Sequence, residues 1–349
     1  MDGLEKAKKI LAEYDGPSFR IMEVCGTHTH EIFRQGVRKM LPEQIQMISG
    51  PGCPVCVTPV GFIDEAVYLA LEKGCTVCTF GDLVRVPGTE LSLQLARGKG
   101  AKVKVVYSPP DAEAYAKEHP EEQVVFLSVG FETTTPSSCI AVRNAVRDGL
   151  TNFSLLTANK TMPAAYDAMK DSTDLFLYPG HVHAISGTKA CEDLVKEGVS
   201  GVCAGFTGKE LLTALAIAAV EFPKGKPFFR NAYPRVVRPE GSPAAQAMVA
   251  DMMEPEDAEW RGIGVLPASG MRLREEYADY DARKKYDIPA IQGHGNPACR
   301  CGTVLKGEIT PRQCPLFGKA CTPEHPVGAC MVSSEGACSA WYLYNNKED

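Results

Sequence analysis

Six of the fourteen cysteines in this chain fall within forty residues: Cys299, Cys301, Cys314, Cys321, Cys330 and Cys338. Glycine, proline and threonine surround them, and the stretch has little apolar periodicity, so it has no means of folding around a core of its own. Such a segment needs a covalent or metal staple, which thiolates can provide. Disulfides, zinc and an iron–sulfur cluster are the three staples that compete. A disulfide framework fits poorly, because nothing else in the chain reads as secreted. Zinc sites usually present two paired Cys-x2-4-Cys arms, and this stretch has none. Four thiolates on long, irregular spacings with two to spare suit a 4Fe–4S cluster better, while zinc stays open.

A second set of reactive residues lies in the first half. Cys25 opens CGTHTH, with His28 and His30 close behind. A thiol at a strand end beside a helix N-terminus is expected to be acidified, and with two loop imidazoles it could hold zinc, copper or iron. A buried cysteine next to two loop histidines would leave the same trace. Cys53 and Cys56 form a Cys-x-x-Cys inside GPGCPVC, the spacing of a reversible disulfide or a metal pair. Cys75 and Cys78 share that spacing within an apolar strand, where alternation sends the sulfurs to opposite faces; they read as core. Glu132 heads FETTT, where it could act as a base beside an anion-binding helix start, or merely open a threonine-rich cap. His181 and His183 form another loop pair in PGHVHAISG. Cys139, Cys191 and Cys203 read as structural, and neither a Walker loop nor GxGxxG nor a serine elbow is present.

The elements that must carry these residues follow from period and punctuation. FRIMEVC (19–25), IQMISG (45–50), CTVCTFG (75–81), VKVVYSP (103–109) and VVFLSVG (124–130) read as strands. FSLLTAN, LFLYPGH and GVSGVCAGF continue the series with helices between, the alternation of a parallel sheet with crossover helices. The first crossover helix is expected to begin near His30 and Glu31. Four loops rich in Cys, His, Glu and Thr each follow a strand directly, and open parallel sheets bind ligands at those carboxyl ends. The expected fold class is α/β, with two Rossmann-like parallel-sheet domains, 1–112 and 113–232. A C-terminal cysteine-rich iron–sulfur domain, 233–349, completes it beyond a proline-rich hinge at 230–241.

Composition narrows the function classes. Hydrophobic content of 44% and charged content of 23% are those of an ordinary globular protein. A net charge of −6 argues against nonspecific nucleic-acid binding and against a polybasic membrane surface. The first residues read as an amphipathic helix without the apolar core of a signal peptide, and 211–222 is too short to span a bilayer. Many cysteines without an export signal imply a reducing compartment, the cytoplasm.

Taken together, CGTHTH (25–30), GPGCPVC (50–56), GFETTTP (130–136), PGHVHAISG (179–187) and the terminal CPLFGKACTP and GACMVSSEGAC segments resemble the HypD family of nickel–iron hydrogenase maturation factors. The resemblance covers nearly the whole chain, from about Phe19 to Tyr344. It implies three α/β domains, the third carrying a 4Fe–4S cluster. It also implies a scaffold on which the Fe(CN)2CO unit is built with a small HypC-like partner and cyanide from a HypE-like donor. By the same resemblance the cluster ligands would be Cys299, Cys314, Cys321 and Cys338, spaced x14, x6 and x16. Cys301 and Cys330 would form a redox pair beside the cluster, as in ferredoxin:thioredoxin reductase, and Cys53 and Cys56 a second pair. Cys25 would be the thiolate nearest the transient iron, with His28 and His30 at the same site. The competing readings are a cluster-dependent thiol–disulfide reductase of a protein substrate and a zinc-stapled structural module.

Overall fold

The computed structural model describes residues 3–345. Eleven strands build two sheets: β1 (Phe19–Glu23), β2 (Ile45–Ser49), β3 (Thr76–Thr79), β4 (Val103–Val105), β5 (Val124–Gly130), β6 (Phe153–Lys160), β7 (Leu175–Pro179), β8 (Ser200–Ala204), β9 (Phe229–Asn231), β10 (Met253–Trp260) and β11 (Gly264–Leu273). The first sheet runs β2-β1-β7-β8-β9 and is parallel throughout. The second runs β10-β11-β6-β5-β3-β4; its last four strands are parallel, and the β10–β11 hairpin adds antiparallel against β6. The α/β class read from the sequence is the one observed.

The inner strands are apolar because helices and loops cover both faces. All seven residues of VVFLSVG are buried, as are all five of LFLYP. Alternation then assigns each side chain to a layer. Ile21, Leu175 and Val202 face one outer layer of the first sheet; Val124, Phe126 and Leu155 face the outer layer of the second. Met22, Phe176, Val125 and Leu156 point into a common core between the sheets. Cys75 joins that core and Cys78 the outer layer, so the two sulfurs diverge as the strand period requires.

The sheets do not divide the chain at residue 112. The chain lays down β1 and β2, crosses to the second sheet for β3 to β6, returns for β7 to β9, and crosses again for the hairpin. Alternating strands and helices reveal crossover units but not which edge receives the next strand. The C-terminal segment is likewise no separate body: Cys301, Val304, Leu305, Cys330 and Met331 pack into the common core with Met22 and Val24. The stretch at 230–241 contributes β9 rather than serving only as a hinge.

Candidate metal centre

β1 and β2 pair in parallel, Glu23 opposite Ser49, so the loops that follow them leave the same edge side by side. Cys25 is the N-cap of the helix Gly26–Arg34, with extended φ of −150°. Cys53 is the N-cap of the short helix Pro54–Val57, and its Sγ accepts the Cys56 N–H at 3.3 Å. Gly26 N–H donates to the Gly52 carbonyl at 2.8 Å, fastening one loop to the other. A Cβ on Gly52 would fall 2.1 Å from the Cys25 backbone nitrogen. Because that obstacle is backbone, Gly52→Ala is expected to cost about 3 kcal/mol in urea unfolding. An unchanged urea midpoint would show that the loop yields freely.

The helix begins earlier than the sequence suggested, directly after Cys25, with Thr29 Oγ1 bonding the Cys25 carbonyl at 3.2 Å. His28 and His30 are therefore helical, and two residues apart they face different ways. His28 is buried; its Nε2 donates to the Gly205 carbonyl at 3.0 Å, while Nδ1 has no partner. Burial holds this imidazole neutral, its pKa pulled down to about 4. His28 packs against Phe206, which also stacks on His181 at 3.9 Å between ring centres and meets the edge of Tyr233. His30 instead bonds the Ser334 carbonyl through Nδ1 at 3.2 Å and meets the edge of Tyr344. The two histidines do not converge on one metal.

The C-terminal segment closes over this edge. Thr27 Oγ1 donates to Glu335 Oε1 at 2.6 Å, and Phe33 packs on Trp341. Gly26 is needed for close approach rather than for a turn: its Cβ would sit 2.6 Å from the Glu335 Cβ. The Cys25 thiol is not acidified as expected. Burial, then the Glu335 charge, pushes it up to about 12, against the pull of the His28 and Thr27 amides. The thiol keeps its proton until a cation replaces it, so metal binding there releases a proton.

Behind this edge, all six C-terminal cysteines line one apolar cavity with Leu316, Phe317, Gly328 and Met331. The wall is drawn in where a side chain is missing: a Cβ on Gly328 would lie 2.8 Å from Cys299 Sγ. Cys330 lies thiol-to-thiol against Cys301, Cys338 and Cys56 and is drawn well below an ordinary thiol, since all three donate to it. Cys338 is raised by its bond to Cys330, Cys301 by its bonds to Cys299 and Cys330, and Cys56 by burial before its bond to Cys330. Cys299, bonded by Cys301, is lowered to about 6. Cys321 Sγ accepts the Val327 N–H at 3.3 Å. A dry nest of soft thiol donors, in which Cys301 shares its one S–H between Cys299 and Cys330, fits an iron–sulfur cluster. The Cys56–Cys330 contact joins the two thiol systems, and neither sequence motif hinted at it.

Glu132 stands elsewhere, at the carboxyl end of β5. Its Oε1 accepts the Met162 N–H at 2.9 Å, and its buried Oε2 has no partner. Burial pushes this carboxyl up to about 7. A folded pKa above the unfolded one contributes stability at low pH that is lost as pH rises through 7. Glu132→Gln, a mimic of the protonated form, should gain about 1 kcal/mol on the unsubstituted protein between pH 6 and pH 8. Paired urea titrations at the two pH values check this. His183 is core: it contacts Tyr166 Oη at 3.1 Å, the Gly187 carbonyl at 2.8 Å and Cys191 Sγ at 3.4 Å. Sequence reasoning passed over Glu335 and Phe206; Glu335 lay in plain view within the terminal GACMVSSEGAC.

Known proteins resemble this chain over nearly its whole length. The family model HypD, described as the hydrogenase formation hypA family, matches residues 4–345. A hydrogenase maturation factor HypD of Azotobacter vinelandii is 41% identical, covering 98% of this chain and 93% of its own length. Its namesake from Cupriavidus necator is 41% identical over 96% of this chain and 92% of its own. The Escherichia coli protein of that name is 42% identical over 99% and 94%. The chain belongs to the HypD family.

Proposed function

We propose that this chain is the scaffold and redox protein on which the Fe(CN)2CO unit of nickel–iron hydrogenase is assembled, with a HypC-like partner and a HypE-like cyanide donor. Its role in hydrogenase maturation follows from the family. The observation that carries the finer reading is the convergence of Cys25, the Cys53–Cys56 pair and the six-cysteine cavity on one sheet edge, joined where Cys56 meets Cys330. Such a unit needs soft thiolate ligands, exclusion of water and a source of electrons. Cys25, stripped of its proton by incoming iron, is the first ligand. Glu335 and the neutral His28 flank it, the one with charge and the other with ring packing against Phe206.

Cys299, Cys314, Cys321 and Cys338 would hold a 4Fe–4S cluster, which when bound supplies electrons one at a time. Cys301 and Cys330 are then left as a dithiol. As the thiolate of the group, Cys330 attacks Cys56 of a Cys53–Cys56 disulfide, and Cys53 leaves as the thiolate. Cys301, its proton passing to the released Cys53 thiolate, then attacks Cys330, forming the Cys301–Cys330 disulfide and releasing Cys56 as the thiolate. One disulfide is reduced and one dithiol oxidised, with no outside reagent. Reduction of a protein substrate is the weaker reading, because Cys53 and Cys56 are 3% and 0% exposed.

No helix of the described residues is long and apolar enough to cross a membrane, and a cytoplasmic role among thiol-reducing systems accords with the free thiols. The test is anaerobic co-purification with a HypC-like partner, followed by infrared and visible spectra. Bands of metal-bound cyanide and carbon monoxide with iron absorbance are expected. Zinc without iron in metal analysis would overturn the reading.

A further inference from the structure

A second pocket, of about 270 Å³, opens beyond the carboxyl end of β6, walled by the hairpin strands and the start of the helix Val60–Leu71. Lys160, the last residue of β6, lines it and is 3% exposed. Among the described residues its ammonium makes no hydrogen bond and no ion pair; the Trp260 ring centre lies 5.7 Å from Nζ, and the charges that act on it without contact are Glu259, Arg283 and Glu256. A desolvated ammonium without a counter-ion is costly, and burial draws Lys160 down to about 8.

Across the same pocket Glu256, half-buried on β10, has neither hydrogen bond nor ion pair among the described residues. Burial raises its carboxyl. Glu259, exposed on the same strand, also lines the pocket without a hydrogen bond or ion pair among the described residues, and it is the carboxylate that acts most on Lys160. The other charges of the wall are already spoken for. Arg283 holds Glu65 through Nε and Nη2 at 3.1 and 2.8 Å and gives Nη1 to the Thr157 carbonyl at 2.9 Å. Asp257 accepts the Ala268 N–H at 2.9 Å. Asn159, on the same wall, has an Nδ2 without an acceptor.

A buried ammonium and a half-buried carboxylate that face one pocket without touching, with the water-exposed Glu259 beside them, leave a gap for something that satisfies both signs. A simple anion would answer Lys160 and repel Glu256; a simple cation would do the reverse. We propose that this pocket binds a small zwitterion of the α-amino-acid type, its carboxylate on Lys160 and its ammonium on Glu256. The pocket lies just below the size range of sites for drug-sized ligands, which suits a molecule of that class. Its position agrees as well, since parallel strands bind ligands at their carboxyl ends. Pro59, three residues after Cys56, forms part of the wall, so the site abuts the thiol loop without sharing a thiol.

The experiment is calorimetric titration of the full chain with each proteinogenic amino acid, with acetate and methylammonium as singly charged controls. Saturable binding of at least one amino acid is expected, with acetate and methylammonium at least about tenfold weaker. Lys160→Met and Glu256→Gln should each weaken the binding about tenfold or more, and neither leaves a new buried charge to unfold the protein. Binding of acetate as tight as that of the amino acid would make this a plain anion site and overturn the proposal. So would unchanged affinity in both variants, or no saturable binding by any amino acid up to about 10 mM, where the free energy falls below about 3 kcal/mol.

Discussion

Cys25→Ser is expected to fold, retain its iron absorbance and bind a HypC-like partner, yet show no cyanide or carbonyl bands in the infrared. Serine is among the best N-cap residues, and position 25 is the N-cap of its helix, so the exchange costs the fold little. What changes is the donor. A serine hydroxyl stays protonated at neutral pH and is hard, where a low-spin iron bearing cyanide and carbon monoxide needs a soft anionic sulfur. The loss should be complete rather than graded, because no other thiol reaches the same sheet edge with comparable access: Cys53 and Cys56 are buried, and Cys25 is partly open. His28→Ala should weaken the bands without removing them, since the imidazole packs on Phe206 and bonds a carbonyl. Normal bands in the purified Cys25→Ser complex would remove Cys25 from the ligand set and turn attention to Cys53 and Cys56.

Cys314→Ala or Cys321→Ala is expected to abolish the visible iron absorbance and to open residues 299–338 to proteolysis. Metal binding and folding are coupled where a segment has few apolar contacts of its own. The damage should spread, because Cys301, Cys330 and Met331 are members of the core that both sheets share. Cys301→Ala, by contrast, should retain iron and lose the ability to resolve a mixed disulfide at Cys330. Iron content, limited proteolysis and thiol trapping read these three effects separately. Loss of iron in Cys301→Ala together with its retention in Cys299→Ala would exchange the roles of those two neighbours.

Much of this was legible in the sequence, for physical reasons. Central strands such as VVFLSVG and LFLYP are buried on both faces and so read as unbroken apolar runs. The strand-end placement of Cys25 and Cys53 followed from those runs. β10 was not legible: MEPEDAEW carries Pro255 and four carboxylates, and it forms a strand only as the sheet's outer edge, where its alternate residues face water. Long-range pairing was equally hidden. Burial, with Glu335 beside it, reverses the acidity expected of Cys25, and Cys330 meets Cys56, through contacts that no local spacing records. The divergence of His28 from His30 turned on where one helix starts, a boundary that local propensity fixes poorly.

The interleaving of the two sheets bears on how the protein is born. β1 lies between β2 and β7, so the strand leading to Cys25 lacks its second neighbour until the ribosome has made residue 179. The first sheet closes only with β9, and the lid over Cys25 comes later still, with Ser334 and Glu335. Pairings of such high sequence separation form late and slowly. A nascent chain therefore displays Cys25 and the Cys53–Cys56 pair long before the C-terminal thiols that complete the cavity. The thiol pocket comes into being only when synthesis is almost complete, so on the proposed function stray zinc or copper would meet a growing polypeptide whose donors are still apart.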